Sequence, residues 1–310
     1  MTEKQKLIIL VGPTASGKTS TAIDLAKIFN LEVISADSRY LYKGLDIGTA
    51  KPTQADMGGI PHHLINVTDL NHIWHLAIYK ERVSQCINEI YSRGSMPILV
   101  GGTGQYIKSI VEGWQIPIQE PDEKMRDLIN MWGNEIGSER LHAVLALLDP
   151  AAAQKIDHQN QRRTVRALEV IFKTGHRFSE QRTRSESQYI NYMIGIDYPR
   201  DDLYHRIDQR IEQMLEKGFL AEVQSLLDNG YEMALRKIAA IGYVELIDYL
   251  EGVCTLDEAV MLMKRRSRIL VRRQSNWFKK TDQNVHWFRA SSKMLREMSD
   301  HLRTCGIKTV

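Results

Sequence analysis

The sequence predicts an α/β protein, a parallel sheet flanked by helices, organised around a phosphate-binding loop and interrupted by a mainly helical insertion. Three observations carry this. Leu7–Val11 is a short unbroken apolar run, the pattern of a parallel strand buried on both faces, and it leads through a Gly-rich loop into a helical stretch. Glu32–Ser35 (EVIS) and Met96–Val100 (MPILV) repeat the strand pattern after helical segments, giving strand–helix–strand units. From about Trp114 the pattern turns helical and polar, until Ile194–Ile196 brings a strand back.

The loop after the first strand is the most specific feature. Gly12, Pro13, Thr14, Ala15, Ser16, Gly17, Lys18 and Thr19 read G-x-x-x-x-G-K-[ST], so the sheet is expected to be of the P-loop NTPase-like kind. Glycines at both ends let the backbone curl until successive N–H groups point inward at phosphate oxygens. The helix beginning near Lys18 adds the positive end of its dipole. Lys18 is expected to reach the terminal phosphate, and the Thr19 hydroxyl to hold Mg²⁺. A nucleoside triphosphate and a simple diphosphate satisfy these donors equally.

Between the first two strands, Ala22, Leu25, Ala26 and Phe29 recur at helical spacing. EVIS ends in Ala36-Asp37-Ser38-Arg39, which places Asp37 at the carboxyl edge of the sheet, where ligands gather. An N-cap for the next segment is an equal reading of Asp37. Tyr40–Lys51 is expected to be a loop. His62 and His63 would point to opposite faces of a strand, which favours packing and hydrogen bonding over a metal. Ile78–Arg93 reads as a helix. MPILV then ends in Gly101-Gly102-Thr103-Gly104, where ATPases and GTPases of this fold carry an Asp for Mg²⁺. That replacement counts against a motor or switch.

Residues 114–192 are assigned to the insertion and 1–113 with 193–310 to the core. Pro117 and Pro121 open the insertion, and Arg162, Arg163 and Arg166 fall within about one helical turn of it. Leu203–Phe219 carries Arg206 and Arg210 one turn apart. Such a guanidinium pair would neutralise a diphosphate; a solvated face paired to Asp208 and Glu212 is the alternative. Ala239–Gly242 reads as a small-residue turn before another helix. Met261–Thr281 holds Lys264, Arg265, Arg266, Arg268, Arg272, Arg273, Lys279 and Lys280, with Trp277 and Phe278 interleaved. No acidic residue lies between Glu258 and Asp282. Cations without counter-charges repel one another, so this stretch is read as a nucleic-acid contact rather than a solvated face.

The chain has 310 residues, 43% hydrophobic and 25% charged, with a net charge of +3, which suits one large or two smaller globular domains. No apolar run approaches the length of a membrane span, and MTEKQK carries no hydrophobic signal region. Cys86, Cys254 and Cys305 are far apart and suggest neither a disulfide framework nor a zinc site, so a cytoplasmic protein free of membrane is expected.

The motifs come together in one resemblance. GPTASGKT at Gly12–Thr19, Asp37-Ser38 after EVISA, YKGLDIGTAKP at Tyr42–Pro52, PHHLI at Pro61–Ile65 and LVGGTGQY at Leu99–Tyr106 are followed by four more. These are RRTVRALEV at Arg162–Val170, RIDQRIEQM at Arg206–Met214, AIGYVE at Ala240–Glu245 and RRQSNWF at Arg272–Phe278. In this order the chain resembles the bacterial tRNA dimethylallyltransferases, also called tRNA isopentenyltransferases. The resemblance implies transfer of the five-carbon group from dimethylallyl diphosphate to the exocyclic N6 amine of the adenine 3′ of the anticodon. It further implies Mg²⁺ as cofactor, the tRNA anticodon stem-loop as partner and a monomeric enzyme. The phosphate loop Gly12–Thr19 would hold the diphosphate rather than ATP. Asp37 would orient the amine and accept its proton, Arg210 would assist the leaving group, and Thr103 would contact the base or the bridging oxygen. Contacts to tRNA are implied at Asp37, Ser38, Arg39, Tyr40, Thr103, Arg126, Arg162, Arg163, Arg166, Gly242, Tyr243, Arg268, Arg272, Arg273 and Gln274. A stacked adenine cannot enter a crevice, so the base would be extruded. A small-molecule kinase would have no use for the Arg-rich segments, and a non-catalytic RNA binder would not need Asp37.

Overall fold

β1 (Lys6–Val11) runs into the Gly-rich loop and α1 (Lys18–Phe29); β2 (Leu31–Ser35) follows after Asn30, which caps α1 in the left-handed conformation. The computed structural model describes residues 4–115, 122–180 and 183–309, and Pro117 and Pro121 lie outside the described residues. A long loop containing α2 (Gln54–Met57) and the short β3 (His62–His63) precedes α3 (Leu76–Ser92), β4 (Met96–Gly101) and α4 (Gly104–Val111). The middle of the chain holds β5 (Trp114–Gln115), α5 (Glu123–Ile136), α6 (Ser138–Leu148), α7 (Pro150–Ala153), α8 (Gln161–Thr174) and β6 (Thr183–Arg184). β7 (Ile190–Asp197) then leads to α9 (Arg200–Glu216), α10 (Phe219–Asp228), α11 (Glu232–Ile238) and α12 (Tyr243–Leu250). The chain finishes with α13 (Leu256–Trp277), β8 (Val285–Arg289) and α14 (Met294–Thr304).

Two compact units result: Met1–Val111 with Ser187–Val310, and Glu112–Glu186. The insertion is shorter than the expected 114–192 at its far end. Lys6–Ile8 of β1 take Ile190–Tyr192 as parallel partners, so the sheet strand opens before the MIGID run.

In the first unit, six strands form a parallel sheet in the order β3-β2-β4-β1-β7-β8. Successive strand side chains point to opposite faces. Leu7, Ile9 and Val11 therefore enter one core with Ile34, Val83, Ile87 and Ile107, while Ile8 and Leu10 enter the other with Leu25, Phe29, Met298 and Leu302. Burial on both faces is why β1 reads as an unbroken apolar run. Because β4 lies between β1 and β2, the loops leaving the carboxyl ends of these three strands stand side by side. Gly101 ends β4 so close to β2 that a Cβ there would lie 2.2 Å from the Ala36 carbonyl oxygen. A side chain such as the aspartate of motor proteins has no room at that point.

The second unit packs α5, α6 and α8 around Ile129, Leu141, Leu145, Val165 and Leu168. Its centre also holds a buried carboxylate, Glu169, which accepts from Arg126 at 3.0 Å, Arg166 at 2.8 Å and the Asp122 N–H at 3.1 Å.

Candidate active site

The phosphate loop is shaped by local backbone demands. Gly17, with φ of 88°, sits in the left-handed region where a side chain is strained, and it starts α1 with no side chain over the helix N-terminus. Ala15 adopts φ of 62°, a strained conformation for a residue with a Cβ, of the kind that gathers at ligand-binding loops. Lys18 folds beneath the loop, where its Nζ donates to the Pro13 carbonyl at 2.6 Å. Loss of hydration pulls its pKa down to about 8; Asp37 opposes that shift and Arg210 adds to it. Buried Ser16 Oγ has no hydrogen-bond partner among the described residues.

Around this loop stand residues from β2, the loop after it and α9. The Arg206 Nε donates to the Ala15 carbonyl at 2.8 Å, and Arg210 Nη2 donates to the Thr49 carbonyl at 3.0 Å. Arg206 is thus held on the phosphate loop and Arg210 on the loop containing Thr49, and both line the same cavity. The neighbouring acids on α9 are engaged elsewhere: Asp208 binds Arg268 at 2.6 Å, and Glu212 binds Lys264 at 2.7 Å. Asp37 Oδ1 accepts the Arg39 N–H at 2.9 Å, a local turn that holds the carboxylate at the strand end. The Tyr40 hydroxyl donates to the Ala50 carbonyl at 2.9 Å, and burial, with Asp37 next, pushes its pKa up to about 12. It stays a neutral donor beside the loop.

Two cavities meet here. One, of about 730 Å³, is lined by the phosphate loop with Lys18, Thr19, Tyr40, Arg206 and Arg210. The other, of about 680 Å³, is lined by Ser38, Arg39, Thr103, Arg273, Gln274 and Trp277. Asp37, Arg210, Thr14, Ala15 and Thr49 belong to both walls, so a carboxylate and a guanidinium stand at the junction of a phosphate cradle and a second chamber. On the second side, Thr103 Oγ1 accepts the Ser38 N–H at 3.1 Å, which ties the loop after β4 to the loop after β2. Gln274 Oε1 accepts the Thr14 N–H at 2.7 Å, and the Trp277 ring fills the space where a Cβ at Gly104 would lie 2.1 Å from it. The C-terminal end of α13 is thereby docked on the phosphate loop.

The structure brings Thr14, Ala15, Gly17, Lys18 and Thr19 of the phosphate loop, with Asp37, Ser38, Arg39, Tyr40, Thr103, Arg210, Arg273 and Gln274, to this double cavity, while Gly12, Pro13 and the buried Ser16 line neither chamber. Other expectations are corrected. Gly242 and Tyr243 are buried, with no surface to offer RNA: the Gly242 N–H donates to Glu245 Oε2 at 2.8 Å, and the Tyr243 hydroxyl donates to Glu222 Oε1 at 2.6 Å. Nor is the α13 segment a row of uncompensated cations. Lys264, Arg266, Arg268 and Lys280 pair with Glu212, Glu245, Asp208 and Asp197, all from other elements. Arg265, Arg272, Arg273 and Lys279 remain without an acidic partner among the described residues. In the second unit, Arg126 and Arg166 are engaged by Glu169, whereas Arg162 and Arg163 are exposed without an acidic partner among the described residues. His62 Nδ1 lies 2.8 Å from the Ile60 carbonyl, and His63 Nε2 lies 2.7 Å from Glu32, which makes both histidines framework residues.

A residue with no sequence signal also matters. Glu222, on α10, accepts the N–H groups of Asp46, Ile47 and Gly48 at 3.2, 2.7 and 3.2 Å. Only the fold brings it beside that loop.

Comparison with known proteins identifies the family. The family model described as IPP transferase matches residues 40–281. A tRNA dimethylallyltransferase of Roseiflexus sp. (strain RS-1) is 44% identical over 274 residues, 88% of this chain and 90% of the relative. One from Halalkalibacterium halodurans is 43% identical over 92% of this chain and 91% of its own length. Among solved structures, the full-length tRNA isopentenylpyrophosphate transferase from Bacillus halodurans matches with a TM-score of 0.72 and 40% identity, covering 97% of this chain and 96% of that one. A eukaryotic dimethylallyltransferase acting on tRNA matches with a TM-score of 0.79 at 26% identity, covering 97% and 77%. With a phosphate loop opening onto Asp37 and Arg210, and relatives of this identity along nearly its whole length, the chain belongs to the IPP transferase family, the family of the tRNA dimethylallyltransferases.

Proposed function

We propose that this enzyme transfers the dimethylallyl group from dimethylallyl diphosphate to the N6 amine of the adenine 3′ of the anticodon in tRNA, releasing diphosphate. The observation that carries the reading is the junction of the two cavities at Asp37 and Arg210. This supports a reading in which a nucleophile from one chamber meets a leaving group from the other, with Asp37 as proton acceptor and Arg210 as the nearby cation.

The diphosphate would lie on the main-chain N–H groups of Gly12–Thr19, with Lys18 and Arg210 on its oxygens. As the bond between the allylic carbon and the bridging oxygen breaks, its electron pair goes to the diphosphate. Fixed donors would stabilise that charge without reorganising. N6 attacks the same carbon, and its proton passes to Asp37, whose Oδ2 has no hydrogen-bond partner among the described residues. Thr103, held by Ser38, would orient the extruded base. Magnesium fits the hard oxygen donor that the Thr19 hydroxyl offers at the phosphate loop, and Thr19 would help to hold it. The ion would supply positive charge to the departing diphosphate.

The cations without acid partners, Arg272 and Arg273 on α13 and Arg162 and Arg163 on α8, are assigned to the RNA backbone of the anticodon stem-loop. Arg268 is assigned a smaller share, since Asp208 already holds it. The insertion, Glu112–Glu186, would serve as an RNA-contacting domain, and the enzyme would work as a cytoplasmic monomer where its acceptor is found. No described helix is long and apolar enough to cross a membrane.

The test is direct. Incubation with unmodified tRNA, dimethylallyl diphosphate and Mg²⁺, followed by digestion to nucleosides and mass spectrometry, should yield prenylated adenosine. Turnover of ATP with no prenylated product would overturn the reading in favour of a kinase.

A further inference from the structure

Three successive backbone N–H groups, of Asp46, Ile47 and Gly48, converge on one carboxylate, that of Glu222. Backbone concavities of this kind are anion sites, and here the anion is a side chain from a helix remote in sequence. The Tyr243 hydroxyl closes the arrangement from α12 at 2.6 Å; burial, and then the Glu222 carboxylate, push its pKa up, so it stays a donor. The loop is also pressed onto α10: a Cβ at Gly48 would lie 2.1 Å from the Phe219 ring. The next two residues present their carbonyls to the cavity. Thr49 receives Arg210 at 3.0 Å, and Ala50 receives Tyr40 at 2.9 Å.

We propose that Glu222 is a positioning residue for the transfer reaction: by clamping Asp46–Gly48 it fixes the Thr49 and Ala50 carbonyls, which aim Arg210 and Tyr40 at the diphosphate. Glu222 lines neither of the two cavities, so its effect runs through the loop rather than through contact with substrate. Lys51 anchors the far end of the same loop, its buried Nζ donating to the Tyr42 carbonyl at 2.6 Å and to Asp46 and Asn66 at 2.7 Å each. With Lys51 at one end and Glu222 on the middle, the loop is anchored on both sides of the turn that leads to Thr49.

This proposal rests on the assignment of Arg210 to the leaving group, and the experiment separates the two. The non-transferring analogue dimethylallyl S-thiodiphosphate is titrated into wild type, Arg210→Ala, Glu222→Ala, Glu222→Gln and the Arg210→Ala/Glu222→Ala double variant. Single-turnover transfer, tRNA affinity and melting temperature are measured on each. Loss of one charged hydrogen-bonding group at the diphosphate should weaken analogue binding by roughly tenfold to a hundredfold in Arg210→Ala. Glu222→Ala should lose a comparable factor, keep wild-type tRNA affinity, and add little in the double variant, because the two act as one unit. Glu222→Gln, which still accepts on one oxygen, should recover part of the loss. Analogue binding that weakens in Arg210→Ala but not in Glu222→Ala overturns the positioning role alone, as do losses that multiply in the double variant. Wild-type analogue binding in Arg210→Ala overturns the assignment of Arg210 and this proposal with it. Should Glu222→Ala melt below the assay temperature, Tyr243→Phe removes one bond from the clamp; a full wild-type profile there together with full activity in Glu222→Gln would also overturn it.

Discussion

At the residue scale, the roles proposed for Asp37 and Lys18 each yield a prediction. Asp37→Asn keeps an oxygen for the Arg39 N–H and so preserves the turn, but it cannot accept a proton from the amine. Single-turnover transfer should fall by roughly 10²–10⁴-fold, the range of general-base catalysis, while filter binding shows tRNA affinity unchanged. Equal losses in binding and transfer would return Asp37 to a capping role. For Lys18 the pH dependence follows from its lowered pKa, about 8 in the free enzyme against 10.5 for a solvated lysine. A diphosphate bound there, as proposed, would favour the charged form, so between those values binding would take up a proton. Affinity for the thiodiphosphate analogue should be complete below pH 8 and fall as pH rises through that value, roughly tenfold from pH 7 to pH 9. Calorimetry in buffers of different ionisation enthalpy should find uptake approaching one proton at pH 9; no uptake would mean that Lys18 enters already charged.

At the scale of the element, α13 does two jobs at once. Toward the core it lends Lys264, Arg266 and Arg268 to acids on α9 and α12. Beyond them, Arg272 and Arg273 stand free of acids, and Gln274 and Trp277 lie on the phosphate loop and on Gly104. Replacing Arg272 and Arg273 by Ala should lower the slope of log affinity for tRNA against log salt by about 0.7–0.9 for each phosphate that is no longer neutralised. Arg268→Ala should change that slope less and lower the melting temperature more, because Asp208 is left unpaired and Oδ1 already lacks a partner. A salt slope that responds to Arg268 as strongly as to Arg272 would show that the Asp208 pair opens on RNA binding. The same element predicts the effect of Gly104→Ala. Its Cβ would meet Trp277 at 2.1 Å, so the end of α13 must shift, and transfer should suffer.

At the scale of the whole molecule, the two units rest on different interiors. The sheet unit buries apolar side chains on both faces, whereas the Glu112–Glu186 unit centres part of its packing on the charged Glu169. Glu169 is fully buried among its donors, so removing its cations is worse than removing its charge. Arg126→Ala/Arg166→Ala should destabilise the unit by about 3–5 kcal/mol, and Glu169→Gln by about 1–2 kcal/mol. Hydrogen exchange should place both losses within residues 112–186. The opposite ranking would mean that water replaces the guanidiniums at little cost.

The sequence by itself determined the four central strands of the sheet, the phosphate loop and the Asp37 edge, because each is set by local demands: apolar runs buried on both faces, glycine at strained backbone, and strands ending on one side of a parallel sheet. It also carried the family, since GPTASGKT, GLDIGTAKP and GGTGQY are long enough to be specific. Charge and burial between distant segments were left to the tertiary structure. Arg268 and Arg272 look alike in a basic run, yet only packing against α9 places Asp208 beside the first and nothing acidic beside the second. Tyr243 follows a conspicuous turn, yet its ring lies in the core. Glu222 has no motif at all, and its part arises because a loop far earlier in the chain, Asp46–Gly48, is folded against it. Electrostatic pairing acts through space and has no period along the chain, so only the folded molecule decides which charges are spent on the framework and which remain for the substrate.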